Sequence, residues 1–189
     1  MKYLRWMAAV GGLMLAAVVH SDDLQGSLYD LKIQLTDQLG HKQSLDTFRG
    51  HPVWVILFYG SCPSACPLLI ESVRANETAL APEARKDLRV LLVSIDPDRD
   101  TQSALKKLAH ERRIDTVRWK LTATSEDEVR LLAAALGIQY RRLPNGDYNH
   151  TSAITLLKRD GEMGKQTSIL GRADPSLLAA TLAASARPR

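Results

Sequence analysis

The sequence predicts an α/β fold on a mostly parallel sheet, and three patterns carry that prediction. Val53 to Tyr59 is an unbroken run of β-branched, aliphatic and aromatic residues. Such a run suits a strand buried on both faces of a parallel sheet. Strand-like and helix-like segments then alternate as far as Gly137. Beyond it come short strand patterns split by turn residues, and a last helical stretch. With 189 residues the chain suits one domain plus a targeting segment, and it can bury a proper core.

The elements follow in order. Lys32 to Leu35 and Lys42 to Leu45 alternate around Asp37-Gln38-Leu39-Gly40, which reads as a hairpin. After the buried strand, Leu68 to Leu80 has helical spacing at Leu69, Val73 and Leu80, and Pro82 closes it. Leu88 to Ile95 is a second apolar strand, running into Asp96-Pro97-Asp98-Arg99-Asp100. A helix from about Thr101 to Arg113 puts Leu105, Leu108 and Ala109 on one side. Trp119 to Leu121 is a short strand. Ser125-Glu126-Asp127-Glu128 matches a capping box, in which the serine and a glutamate three residues on satisfy free N–H groups. Gly137 supplies a left-handed stop. Gln139 to Leu143 and Ser152 to Leu157 are two strands connected through Pro144-Asn145-Gly146-Asp147. Asp160-Gly161 turns the chain toward a strand near Ser168 to Leu170. Asp174-Pro175 caps and opens a final helix, Ser176 to Ala186. An N-terminal β-hairpin, early alternation and a late hairpin before the C-terminal helix fit a thioredoxin-like α/β sandwich. Pattern alone licenses only "α/β".

The formal charge is +4, from 25 basic and 21 acidic residues. Lys2 and Arg5 belong to the N-terminal segment, so the remainder is nearly balanced. No stretch clusters Lys and Arg with aromatics, which argues against a nucleic-acid partner. Those two charges precede an almost uncharged run from Trp6 to Val19, then the polar His20-Ser21-Asp22-Asp23. Residues 1–21 therefore read as a signal peptide or short N-terminal anchor. The run is shorter than the roughly 20 residues of a membrane span. The domain, residues 22–189, is expected in the periplasm or another exported space, soluble or tethered to the membrane by its N-terminus. There its two cysteines can oxidise.

Those cysteines lie in Tyr59-Gly60-Ser61-Cys62-Pro63-Ser64-Ala65-Cys66-Pro67, between the buried strand and a helix. Open α/β sheets place their sites at such strand ends. Pro67 is comfortable only near the first helical position, so Cys66 is expected close to the helix N-cap. Free N–H groups and the helix dipole there favour thiolate. Two thiolates select copper(I), zinc or another thiophilic ion. A closed structural zinc site would want further cysteines, which the chain lacks. Two other readings stay open. A structural Cys62–Cys66 disulfide would remove little chain entropy across so short a loop. A redox pair is a stronger competitor, although redox motifs usually have two intervening residues and this one has three. A thiol peroxidase would need a threonine three residues before its cysteine, where Tyr59 and Pro63 stand.

Of five histidines, His20, His41, His51 and His110 read as targeting or solvated positions. His150 stands just before the Ser152 to Leu157 strand. In a thioredoxin-like sheet, a residue entering that strand faces the cysteine loop, and an imidazole there could complete a three-ligand site that also suits copper(II).

These residues resemble the Sco (SenC) family. The likeness runs through Leu39-Gly40, Phe48-Arg49-Gly50, Phe58-Tyr59-Gly60 and the Cys62 to Pro67 segment. It continues through Val93-Ser94-Ile95-Asp96-Pro97-Asp98-Arg99-Asp100-Thr101, Trp119-Lys120-Leu121-Thr122, Asn149-His150-Thr151 and Asp160-Gly161. The resemblance implies a thioredoxin-like fold with copper, Cu(I) or Cu(II), held by Cys62, Cys66 and His150. It implies a metallochaperone that helps build the dinuclear copper centre of cytochrome c oxidase, handing over copper, reducing the target's cysteines, or both. The partners implied are a copper-receiving oxidase subunit or other copper protein, and a copper donor or thiol reductant. The alternative is a periplasmic thiol–disulfide oxidoreductase using Cys62 and Cys66. Asp96 carries over as a near-site residue, or else as a carboxylate that caps the turn before Pro97. Asn149 stands where the family commonly has aspartate.

Overall fold

The computed structural model describes residues 26–62 and 65–186, without the side chains of Ala65 and Cys66. The expected signal peptide or anchor, residues 1–21, lies outside them. In chain order the strands are β1 (Gln34–Asp37), β2 (Lys42–Ser44), β3 (Val53–Phe58), β4 (Arg89–Ser94), β5 (Trp119–Ala123), β6 (Tyr140–Arg142), β7 (Tyr148–His150), β8 (Ile154–Leu157) and β9 (Met163–Thr167). The helices are α1 (Ala65–Ala79), α2 (Pro82–Asp87), α3 (Gln102–Glu111), α4 (Glu126–Ala135) and α5 (Pro175–Ser185). No helix among the described residues is long and apolar enough to cross a membrane.

The central sheet has the order β2-β1-β5-β4-β3-β8-β9. Strands β3, β4 and β5 are parallel, and every other pairing in the sheet is antiparallel. Parallel neighbours need long crossovers, here α1 with α2 between β3 and β4, and α3 between β4 and β5. All six residues of β3 are buried, so both faces of the sheet are covered, as the apolar run predicts. Helix α5 packs on β8 and β9 and touches α1 and α2, while α3 packs on β5 and β1. The Trp54 indole N–H donates to the Thr181 hydroxyl at 2.9 Å, tying β3 to α5. This is the α/β sandwich that the sequence predicts, with its N-terminal hairpin β1–β2 and late hairpin β8–β9.

Four local features differ from expectation. Helix α1 begins at Ala65, ahead of the Leu68 start that the spacing predicts, and Cys66, its second residue, stands close to the N-cap as expected. Pro67 is third, within the first turn, whose N–H groups have no intrahelical acceptor to lose. Pro82 does not merely close α1; it opens α2 from the first helical position. The predicted strand near Ser168 to Leu170 lies instead at β9, where Met163 to Lys165 are exposed and show no apolar alternation. Tyr148–His150 is a strand in its own right, paired with β6 in a separate two-stranded sheet.

Topology concentrates three segments at one end of the central strands. Parallel β3 and β4 end there, in register from Val53↔Arg89 to Phe58↔Ser94. Antiparallel β8 starts there, since Thr155 pairs with Val55 and Leu157 with Val53. The cysteine loop, the Asp96–Asp100 turn and the segment after His150 therefore meet.

Candidate metal centre

The cysteine loop leaves β3 through Tyr59 and Gly60. The Gly60 N–H donates to both Asp100 carboxylate oxygens, at 3.1 and 2.9 Å. A Cβ on Gly60 would lie 2.6 Å from Asp100 Oδ1, so the loop can approach that carboxylate only without a side chain. Ser94 also donates to Asp100, at 2.5 Å. Burial pushes the Asp100 carboxyl above its usual range, against the pull of the Ser94 and Gly60 donors.

Cys62 is buried, and its N–H donates to the Tyr59 carbonyl at 3.3 Å. Tyr59 is the hub of the site. Burial first, then a hydrogen bond with the Cys62 thiol, push its phenol up to about 12. Its hydroxyl also donates to the Tyr148 carbonyl at 3.3 Å. Its ring lies 5.4 Å from the Tyr148 ring and meets the His150 ring edge-on at 5.8 Å. One side chain therefore touches both a candidate sulfur ligand and the candidate imidazole.

His150 is carried by β7, opposite Tyr140 of β6. Its Nδ1 lies 3.3 Å from the Thr151 carbonyl. With the proton on Nδ1 and donated there, Nε2 carries the lone pair. That Nε2 is buried and has no hydrogen-bond partner among the described residues. Burial lowers the pKa of the ring, against the Thr151 contact, so the neutral form is favoured. A neutral imidazole held through Nδ1, with an unsatisfied Nε2, is the form in which histidine binds metal.

The other histidines serve locally. His41 pairs with Asp37 at 3.2 Å and His51 with Asp87 at 2.8 Å, while His110 stands in the last turn of α3. His20 lies outside the described residues. Cys66 brings its backbone to the first turn of α1, and its side chain lies outside the described residues. Among the described residues no group of three His, Cys, Asp or Glu side chains lies close enough to hold a metal.

Asp96 sits in the turn after β4, where its carbonyl accepts from the Arg99 and Asp100 N–H groups at 3.2 and 2.9 Å. Its buried carboxylate pairs with Arg99 Nε. The carboxylate thus fastens a side chain of its own turn, the turn whose Asp100 holds the cysteine loop. Arg99 then donates from Nη2 to the Gly146 carbonyl at 2.5 Å. Sequence reasoning missed Arg99, Asp100 and Tyr59 as site residues. Each stands within a segment that carries the family resemblance, which was the available signal.

The SCO1/SenC family model matches residues 21–187. A Stutzerimonas stutzeri protein to which copper binding is ascribed is 31% identical over 138 residues, 70% of this chain. The chain spans 65% of that relative's length. Yeast Sco1 with copper bound superposes with a TM-score of 0.66 at 18% identity, covering 80% of this chain and 84% of that one. BsSco, in which a disulfide switch is identified within the Sco family of cytochrome c oxidase assembly proteins, also gives 0.66, at 21% identity over 80% and 90%. At such identities the two structures speak for a shared fold.

Proposed function

The chain belongs to the SCO1/SenC family, and from that premise we propose that it binds a copper ion through Cys62, Cys66 and His150 and delivers it to a copper protein. The receiving site in this reading is the dinuclear copper centre of cytochrome c oxidase. The observation that carries it is the Nε2 of His150, buried and without a hydrogen-bond partner among the described residues, on a ring packed against the tyrosine that hydrogen-bonds Cys62. Two thiolates and an imidazole suit soft copper(I) and also tolerate copper(II). The first turn of α1 favours thiolate at Cys66 through its free N–H groups and dipole. In this reading residues 22–189 form the working domain, exported by the segment 1–21 or tethered through it.

A thiol–disulfide exchange on a partner's cysteines would use the same sulfur pair and no imidazole. His150 separates the two readings. The reduced protein is expected to bind about one copper per chain, measured by metal analysis after gel filtration. Cys62→Ser or Cys66→Ser should abolish copper(I) retention, and His150→Ala should weaken copper(II) binding and change its absorption spectrum. Full copper(I) affinity in a single-cysteine variant, or an unaltered copper(II) spectrum without His150, would sink the proposal.

A further inference from the structure

His150 reaches the site on a hairpin that is not paired into the central sheet, although Tyr59 touches it. Among the described residues, strands β6 and β7 pair only with one another, Tyr140↔His150 through Arg142↔Tyr148. At the root of the hairpin, Thr151 N–H donates to the Gln139 carbonyl at 2.9 Å. At its far end the loop is closed by Leu143 N–H on Asp147 O at 2.7 Å and Gly146 N–H on Leu143 O at 2.9 Å. Ladder bonds of this kind shape the hairpin without fixing where it lies on the body.

Arg99 supplies a fastening from outside. Its Nη2 donates to the Gly146 carbonyl at 2.5 Å, and its guanidinium carbon lies 6.0 Å from the Tyr148 ring centroid. Tyr148 is two residues from His150 on the same strand. The guanidinium is itself aimed, because its Nε pairs with the buried Asp96 carboxylate. A planar fork can bond a carboxylate on one side and a carbonyl on another, which an ammonium cannot do with fixed geometry. The same turn holds the other ligand-bearing loop, since Asp100 takes the Gly60 N–H. One turn, Asp96 to Asp100, thus grips both halves of the site.

We infer that Arg99 is a positioning residue, clamping the β6–β7 hairpin to the turn after β4 so that His150 presents Nε2 to the cysteine loop. The inference deepens the copper reading and rests on it for its metal consequence, while the clamp itself is a property of the copper-free protein. Removing partners that orient a ligand costs about 10–100-fold in metal affinity.

The test compares Arg99→Met, Arg99→Lys, His150→Ala and Arg99→Met/His150→Ala with the unaltered chain. Amide hydrogen exchange is read on the copper-free proteins, and copper(II) affinity and absorption on the titrated ones. Arg99→Met should speed exchange selectively across residues 140–150, weaken copper(II) about 10–100-fold and shift its spectrum. Arg99→Lys keeps the charge and should recover little. Without His150, Arg99→Met should cost no further copper(II) affinity. Unchanged hairpin exchange, or exchange raised evenly over the whole chain, overturns the clamp. So does an Arg99→Met loss that persists undiminished without His150, or copper(II) affinity that stays unchanged while His150→Ala lowers it. If the unaltered protein binds no copper yet Arg99→Met still frees the hairpin, the copper reading falls and the clamp stands.

Discussion

At the scale of single residues, Tyr59 concentrates the chemistry. Its hydroxyl serves the Cys62 thiol and the Tyr148 carbonyl, and its ring supports both Tyr148 and His150. Tyr59→Phe keeps the ring and deletes the hydroxyl, so packing survives while two polar groups lose a partner. Stability is expected to fall by about 1 kcal/mol, read by urea unfolding. The sulfur-to-copper(II) absorption band should also move, because a hydrogen bond to a ligand tunes its donor strength. A band that stays in place would mean that the phenol leaves the sulfur when copper binds. The sequence shows Tyr59 as the last residue of an apolar run and as part of a segment that carries the family resemblance. Its second role depends on Tyr148, which lies 89 residues away along the chain.

Individual elements show how much local chemistry can announce. Helix α4 is legible from Ser125 and Glu128, and the structure forms both halves of that capping box. Glu128 does more than the motif requires, because it also accepts the Gln34 N–H at 2.9 Å and so fastens α4 to β1. Burial raises the Glu128 carboxyl, but the Gln34, Thr124 and Ser125 donors outweigh it and hold it down to about 2. The unfolded chain, near the ordinary 4.5, binds more protons in between. Stability from this group is therefore complete above about pH 4.5 and is lost as pH falls toward about 2. Glu128→Gln should cost about 1 kcal/mol at pH 6 after solvent screening, with the gap to the unaltered protein narrowing at pH 3. A pH-independent gap in the urea midpoints would contradict this. Strand β7 is the opposite case. Tyr148-Asn149-His150 has three residues and no apolar period, and only pairing with Tyr140–Arg142 makes it a strand.

For the whole molecule, one contiguous core underlies the site. Leu92 is fully buried in the middle of β4, in register with Ile56 of β3 and Leu121 of β5. Leu92→Ala should cost about 2–5 kcal/mol through lost burial and a cavity. Because β3 and β4 deliver the cysteine loop and the Asp96–Asp100 turn, tryptophan fluorescence and far-ultraviolet circular dichroism should report one shared, lowered transition. Separate transitions would show that the sheet does not unfold as one unit. Arg99→Met is expected to behave differently, loosening one hairpin while the sheet keeps its midpoint.

The sequence by itself determined the alternation of strands and helices, the caps of α4 and α5, the cysteine pair at a strand end and the family resemblance. All of these are written in residues a few positions apart, where helical and strand periods and cap spacings act. Only the tertiary structure decided that the ring touching Tyr59 belongs to His150 and not to His41 or His51. It alone placed Asp100 on Gly60 and Arg99 on Gly146, pairs separated by 40 and 47 residues. Contacts at such separations leave no periodic trace in the chain, because sheet order rather than neighbouring side chains brings their partners together.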